Sequence, residues 1–189
     1  MAPRFSAAIP FQIGYSYAHT EPPRGANLKP NKQSRGFSLI ELLIVVAIIL
    51  IIAAIAIPNL LRSRISANEA SAVGSLRTLN TAEITYNTSY PNAGFTCTLS
   101  ALGPPSGNTS ASSSSAGLVD STLASGVKSG YSFALSGCGS NVPVPTYEST
   151  GAPVSPGTTG QRYFCSDASG VIKFDPGSTA NCLSNGTPI

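Results

Sequence analysis

The chain has 189 residues, of which only 10% are charged, well below the roughly 25% of an ordinary soluble domain. Its formal net charge is +3, with five basic and one acidic side chain in residues 1–36 and six basic and seven acidic ones in residues 37–189. Because a nucleic-acid-binding protein needs its positive charge on the folded body, this distribution argues against nucleic acid as a partner.

The first 36 residues have no sustained hydrophobic period and end in a basic, polar stretch. At Phe37 the composition changes abruptly, and the 21 residues to Ile57 are apolar apart from Ser38 and Glu41. A helix of this length, at ~1.5 Å per residue, spans the ~30 Å hydrocarbon core of a bilayer. Residues 37–57 are therefore predicted to form a transmembrane helix.

Beyond Pro58 the pattern becomes amphipathic, with apolar residues at helical steps: Leu61, Ile65, Ala72, Leu76, Leu79 and Tyr86. The charged residues are assigned to the opposite, polar side: Arg62, Arg64, Glu69, Arg77 and Glu83. One helix of roughly 80 Å is thus predicted from about Phe37 to about Ser89. Pro58 should kink it, because proline removes a backbone donor. The amphipathic half, residues 58–90, needs a globular partner for its apolar side.

That partner is residues 91–189, which are predicted to be an extracytoplasmic, β-rich globular region. Tyr131 to Ser136 alternate between apolar and polar side chains, as in a half-buried strand. Further strand candidates are Phe95–Leu102, Arg162–Ser166 and Val171–Phe174. Asp167 to Gly170 form a hairpin turn between the last two, and the small-residue stretches 103–117 and 149–160 are predicted loops. The predicted fold is α+β, with the long helix packed on a small antiparallel sheet.

Four cysteines lie in this region: Cys97, Cys138, Cys165 and Cys182. An even number in a Gly/Ser/Thr-rich region predicts disulfides in an oxidising compartment, and the spacing does not match a zinc site. Of the three possible pairings we favour Cys97–Cys138, which ties the segment after the helix to the end of the Tyr131 strand. Cys165–Cys182 would then join the last hairpin to the C-terminal tail. Four unpaired buried thiols are the alternative.

The residues KQSRGFSLIEL, from Lys32 to Leu42, resemble the processing site of type IV prepilins and type II secretion pseudopilins. The resemblance rests on a basic leader that ends in Gly36, then Phe37, Glu41, an unbroken apolar run and a proline, and it covers residues 32–64. It implies that a membrane aspartic peptidase removes residues 1–36 as a leader and methylates the new amine of Phe37. The leader is longer than is usual in that family, and a start at Leu28 would shorten it.

Glu41 is the unusual residue of the apolar run. A charged side chain costs ~2.5–3.5 kcal/mol at the centre of a membrane helix, and less near its end. The resemblance implies that its partner is the amine of Phe37 on a neighbouring subunit, and such a pair in a low dielectric would set the axial register between helices. The alternative is a helix-start acid that the helix dipole favours and that interfacial water solvates.

A rival processing site is the A-x-A triplet Ala54-Ile55-Ala56, which follows a basic region and an apolar run as in a secretory signal peptide. Cleavage there would release a soluble domain. The apolar run is long for a signal peptide, however, and Glu41 would have no role in it. Basic residues before the helix outnumber Arg62 and Arg64 after it, which predicts a cytoplasmic N-terminus and exposes the cysteines to the oxidising side of the membrane.

Catalysis is not predicted. The one histidine, His19, lies in the leader, so the processed chain has no Ser–His or Cys–His pair. Asp167 and Asp175 near the last hairpin could bind Ca²⁺, but both residues are also ordinary turn formers. Ser112 to Ser115 are either O-glycan acceptors or an exposed loop. We predict no cofactor and no metal.

The sequence therefore predicts a structural subunit of a type IV pilus-like filament that polymerises through its apolar helix. Its partners would be copies of itself and other pilins, the prepilin peptidase/methyltransferase, the inner-membrane assembly machinery, and the lipid bilayer before assembly. The expected location is the bacterial inner membrane and then an extracytoplasmic or cell-surface filament. The alternatives are a type II secretion pseudopilin or a minor pilin, and a secreted binding or adhesive domain released by signal peptidase.

Overall fold

The structure, a computed structural model, describes residues 36–189, so the predicted leader apart from Gly36 lies outside the described residues. A single long helix, α1, runs from Leu39 to Ser89. Three short helices and six strands follow in the order α2 (Leu99–Leu102), α3 (Ser121–Ala124), β1 (Val127–Lys128), β2 (Tyr131–Ser136), β3 (Glu148–Pro153), β4 (Tyr163–Asp167), β5 (Lys173–Asp175), α4 (Thr179–Asn185) and β6 (Thr187–Pro188). The predicted α+β arrangement is confirmed.

Helix α1 continues through Pro58, which lies inside it. Pro58 removes one intrahelical donor but does not end the helix, and a kink at this residue stays a prediction. The helix stops before Pro91, where the amides of Ala93 and Gly94 donate to the carbonyl of Tyr90. Gly94 has a φ of +81°, and a Cβ there would overlap the backbone of Val144. Glycine is therefore required where the chain leaves the helix.

The six strands form one sheet in sequential order, and every neighbouring pair is antiparallel. Strands β4 and β5 are joined by the predicted hairpin turn, in which the amide of Gly170 donates to the carbonyl of Asp167 at 2.9 Å. The amide of Ser169 donates to the Asp167 side chain, and Gly170 has a φ of +75°. The predictions of β2, β4 and this turn are confirmed, with β4 one residue later than expected.

The core lies between one side of α1 and the sheet. Leu76 and Leu79 of the helix and Tyr131 and Phe164 of the sheet are completely buried. Their neighbours in the same cluster include Ala72, Ala82, Tyr86 and Phe133. The predicted apolar positions from Ala72 to Tyr86 therefore do face the sheet, and their three- and four-residue spacing explains why the helix packs along this side.

Two predictions about the globular region are wrong. Phe95–Leu102 is not a strand, because Leu99–Leu102 form helix α2 and the residues before it belong to no strand. This short helix buries the side chain of Leu102 completely. The apolar run thus marks burial, but a helical turn achieves it where a strand was expected.

The predicted loop at residues 149–160 contains most of strand β3. Its inward positions, Ser149, Gly151 and Pro153, are buried but small. Gly151 lies opposite both Phe133 and Phe164 in the sheet, and a Cβ on it would come within 3.2 Å of the Phe133 ring. Small residues are needed here because large side chains from α1 and the neighbouring strands already fill the space. That requirement makes the strand resemble a loop in composition.

We expect Gly151→Val to destabilise the folded head by about 1–3 kcal/mol, because the added isopropyl group would overpack the contact with Phe133. The free energy of unfolding, measured by circular dichroism on the full chain in detergent, tests this. Thr150→Val is the matched control, since Thr150 lies on the other side of the same strand and is only partly buried. Equal stability of the two variants would contradict the packing role of Gly151.

Candidate functional site

The N-terminal part of α1 presents an apolar surface that the rest of the described chain does not cover. Its large side chains from Leu42 to Leu61 are between 45% and 66% exposed. In the described residues α1 is the one helix long and apolar enough to cross a membrane, and no part of its most apolar stretch is buried. Exposed apolar surface of this extent requires lipid or another protein as a partner.

The predicted processing residues lie at the beginning of this segment. Gly36 is exposed, with no atom within 4 Å of the position a Cβ would take, and Phe37 is 88% exposed. Glu41 is exposed, and its Oε2 accepts a hydrogen bond from the amide of Ser38 at 2.9 Å. Ser38 and Glu41 have the spacing of a capping box, in which the glutamate satisfies a free amide at the helix start. This S-x-x-E signal is present in the sequence but did not enter the prediction of where the helix begins.

The second half of α1 is attached to the globular region by buried polar side chains as well as by apolar packing. Glu69 and Glu83 were assigned to the polar side of the helix, and this assignment is wrong: they are 6% and 0% exposed. Their positions fall in the same three- and four-residue series as Ala72, Leu76 and Tyr86, so they face the sheet. Their positions in that series could have revealed that both side chains are buried, but their charge led to the prediction that they face solvent.

Glu69 binds the loop before β4 through four donors. Its Oε1 accepts from the amides of Gln161 and Arg162, and its Oε2 accepts from Nε of Arg162 at 2.8 Å and pairs with the same guanidinium at 2.7 Å. The Arg162 guanidinium also lies over the rings of Phe164 and Phe174, at 5.4 and 5.3 Å. Charge-assisted bonds and cation–π contacts together hold this loop against the helix.

Glu83 binds the segment that follows the helix. Its Oε2 accepts from the amide of Thr96 at 2.9 Å, while Oε1 has no hydrogen-bond partner. Burial raises the pKa of Glu83 to about 7, and the Thr96 bond only partly opposes this. The pKa of Tyr147 is raised to about 12, mainly because its hydroxyl is buried and secondly because the Glu83 carboxylate lies nearby. Glu83 is thus a buried acid that titrates near neutral pH.

Between these two carboxylates, Asn80 bridges the helix to the sheet. Its Nδ2 donates to Ser166 Oγ at 2.9 Å and to the carbonyl of Gly170 at 3.2 Å. Its Oδ1 accepts from the hydroxyl of Tyr147 at 3.2 Å. Buried polar groups of this kind fix orientation because each bond has a preferred direction. The helix is therefore held in one position on the sheet.

Two disulfides close the globular region, Cys97–Cys138 and Cys165–Cys182, and these are the pairs that we favoured. The first joins the segment after α1 to the residues after β2, and the second joins β4 to α4. By the chain-entropy relation, a loop as short as the second contributes roughly 3 kcal/mol.

The two candidate calcium ligands, Asp167 and Asp175, stabilise backbone turns. Asp175 Oδ1 accepts from the amides of Gly177 and Ser178, and Asp167 Oδ1 accepts from the amide of Ser169. No group of three or more His, Cys, Asp or Glu side chains is arranged for a metal ion within residues 36–189. The structure does not bring Asp167 and Asp175 together as ligands.

Comparison with known proteins points to the N-terminal segment. Residues 31–57 match the family model described as the prokaryotic N-terminal methylation motif. The chain is 51% identical over 53 residues to the type IV major pilin protein PilA of Myxococcus xanthus, which covers 28% of this chain and 24% of that protein. The N-terminal segment of this chain is therefore similar to that of type IV pilins. The chain is also 60% identical over 38 residues to the type IV wide pilus major component PilA4 of Thermus thermophilus, 20% of this chain and 29% of that protein.

The chain thus spans about a quarter of the length of these two pilins. No solved structure matches it. The family model covers the apolar segment and the residues just before it, whereas the β-rich head lies outside that match. The similarity to known pilins that the family model detects is therefore limited to the N-terminal segment and does not extend to the head.

The stability of the head should depend on pH through Glu83. Because its pKa is raised from 4.5 to about 7, the folded state binds the proton more tightly than the unfolded state. The favourable contribution is therefore complete below pH 4.5 and is lost as the pH rises to about 7. The slope is at most ~1.4 kcal/mol per pH unit, which amounts to roughly 3 kcal/mol across the window.

We expect Glu83→Gln to remove this pH dependence and to raise the melting temperature at pH 8, since the amide oxygen can still accept from Thr96 without a buried charge. Thermal unfolding of the full chain in detergent, followed over this pH range, measures both effects. Glu148→Gln is the control, because Glu148 is partly exposed. A pH profile that is the same in wild type and Glu83→Gln would contradict the assignment.

Proposed function

We propose that this chain is a structural subunit of a type IV pilus-like filament. The observation that supports this most directly is a pilin-family N-terminal segment on an exposed apolar helix. The two similar proteins are described as major pilus components. A filament supplies the missing partner for the apolar surface, because identical helices can pack against one another in its core. No catalytic role is assigned to any residue of the chain.

Before assembly, the apolar helix of residues 37–57 anchors the chain in the bacterial inner membrane. The basic leader remains in the cytoplasm, and the head with its two disulfides lies outside. The amphipathic half of the helix, residues 58–90, joins the anchor to the β-rich head, residues 91–189. On assembly the helix exchanges lipid for neighbouring helices, and the protein becomes part of an extracytoplasmic or cell-surface filament.

Processing prepares the N-terminus for this exchange. A prepilin peptidase/methyltransferase cleaves after Gly36, which removes the leader and releases the amine of Phe37 for methylation. Glycine without a side chain and an exposed flank suit a peptidase cleft. The inner-membrane assembly machinery then transfers the processed chain to the filament, where copies of this chain and other pilins are its partners.

Glu41 supplies the charge that sets register in the filament. An ammonium group on Phe37 of the incoming neighbour pairs with its carboxylate in a low-dielectric core. In the described chain the same carboxylate caps its own helix at Ser38. A carboxylate has enough lone pairs to accept from both groups, so capping and pairing are compatible.

We expect the mature chain to begin at Phe37, and Gly36→Leu to leave a full-length precursor in the membrane, because a bulky side chain does not fit the cleft. N-terminal mass spectrometry of the membrane fraction measures this. Gly74→Ala is the control, since Gly74 is a helical glycine whose added Cβ meets no atom within 4 Å. A mature N-terminus at Ile57 would instead identify a secreted domain.

We expect Glu41→Gln to be inserted and processed normally but to give few filaments, since the neighbouring amine would enter the core without its counter-ion. Breaking one side of a buried ion pair costs about 3–5 kcal/mol, or on the order of 10²–10³-fold per contact. The amount of the chain in filaments sheared from the cells is measured relative to the amount of processed chain in the membrane. Glutamine still accepts from Ser38, so the helix cap is retained. Normal filaments from this variant would reduce Glu41 to a capping residue.

Shearing also separates a pilus from the related pseudopilin of a type II secretion system or a minor pilin. A major subunit should dominate the sheared fraction, and its deletion should leave protein secretion unchanged. A secretion defect without surface filaments would indicate a pseudopilin, whereas a small amount in filaments of another pilin would indicate a minor subunit.

A further inference from the structure

A cleft lies beside α1 just after the apolar segment. Its volume is about 430 Å³, and it is lined by Arg62, Ile65, Ser66, Glu69, Gln161 and Arg162. The helix contributes one wall, and the loop before β4 contributes the other from about 90 residues further along the chain. The cleft therefore exists only in the folded head.

The charge of the cleft is positive on balance. Arg162 is already paired with Glu69, whose two oxygens accept from Gln161 and Arg162, so this carboxylate is fully occupied. Arg62 is exposed, and within residues 36–189 it has no ion-pair partner. One guanidinium is thus free at the opening, with a second, fixed guanidinium at the wall. A guanidinium can bind phosphate through two parallel hydrogen bonds.

The position of Arg62 along the helix gives its depth in a membrane. It follows Ile57, the last residue of the apolar run, by five residues, which is about 7.5 Å of helix. The headgroup layer on each side of the hydrocarbon core is about 5–7 Å thick. The backbone of Arg62 therefore lies at the outer edge of the headgroup layer when residues 37–57 span the bilayer, and its long side chain can reach back to the lipid phosphates. The side chain of Ile65 adds an apolar surface to the same cleft.

We propose that this cleft binds the phosphate of an anionic phospholipid headgroup while the chain is in the membrane. The proposal rests on the membrane stage of the proposed function. Zwitterionic lipids carry a compensating cation beside their phosphate, so a cleft with excess positive charge favours anionic lipids. The bound headgroup would hold each membrane-inserted subunit at a fixed depth and would be released when the helix leaves the bilayer.

Lipid retained on the protein tests the proposal. The full processed chain is extracted in mild detergent from vesicles of phosphatidylglycerol and phosphatidylcholine, and bound lipid is identified by native mass spectrometry. We expect wild type to retain phosphatidylglycerol preferentially. Arg62→Gln should reduce that preference about fivefold, because this is the contribution of one basic side chain near an anionic surface. Arg77→Gln makes the same change of charge on the same helix outside the cleft and should retain the preference.

Two further measurements separate the alternatives. Inorganic phosphate should displace no more lipid than chloride does at equal ionic strength; specific displacement by phosphate would make the cleft a free-anion site and overturn the lipid assignment. Filaments are sheared from the same strains. If Arg62→Gln keeps its lipid preference, the headgroup site is wrong, and a loss of filaments would then assign Arg62 to a subunit contact. Filament formation by wild type tests the proposed function separately.

Discussion

The apolar surface of α1 between Leu42 and Leu61 is the constraint on which the rest of the molecule depends. Burial of one large apolar side chain is worth roughly 1.5–3 kcal/mol, so the exposed side chains of this segment together represent on the order of tens of kcal/mol. Water cannot be their final environment, and residues 36–189 do not cover them. In the proposed function, the basic flanks, the head and the first turn with Glu41 each help to transfer this surface from lipid to neighbouring subunits.

The head and helix α1 can move as one unit only if the head holds the helix rigidly. Interdigitated apolar side chains resist sliding of the helix by their shape. Hydrogen bonds of Glu69, Asn80 and Glu83 to defined atoms of the loops and strands add a directional constraint to this packing. Glu83 does so as a buried acid whose raised pKa makes its contribution to stability smaller above neutral pH.

Much of the molecule could be predicted from its sequence. Period and composition located α1 and strand β2, and the motif at Gly36 located the pilin segment, because these depend on local pattern. The failures have two causes. Strand β3 was taken for a loop because Gly151 must be small to admit Phe133, a tertiary neighbour that the local pattern does not contain. Glu83 was placed in solvent because of its charge, although its spacing along α1 already put it on the buried side.

The placement of the two buried glutamates has a mechanical consequence. Glu69 and Glu83 are separated by 14 residues, or about 21 Å along α1, and the core between them lies on the same side of the helix. A pull along the helix axis would load both carboxylates and the intervening side chains in parallel, as shear, so that no contact bears the tension alone. Rupture would then require all of them to yield together, and a head attached in this way should resist stretching far better than one attached at a single point.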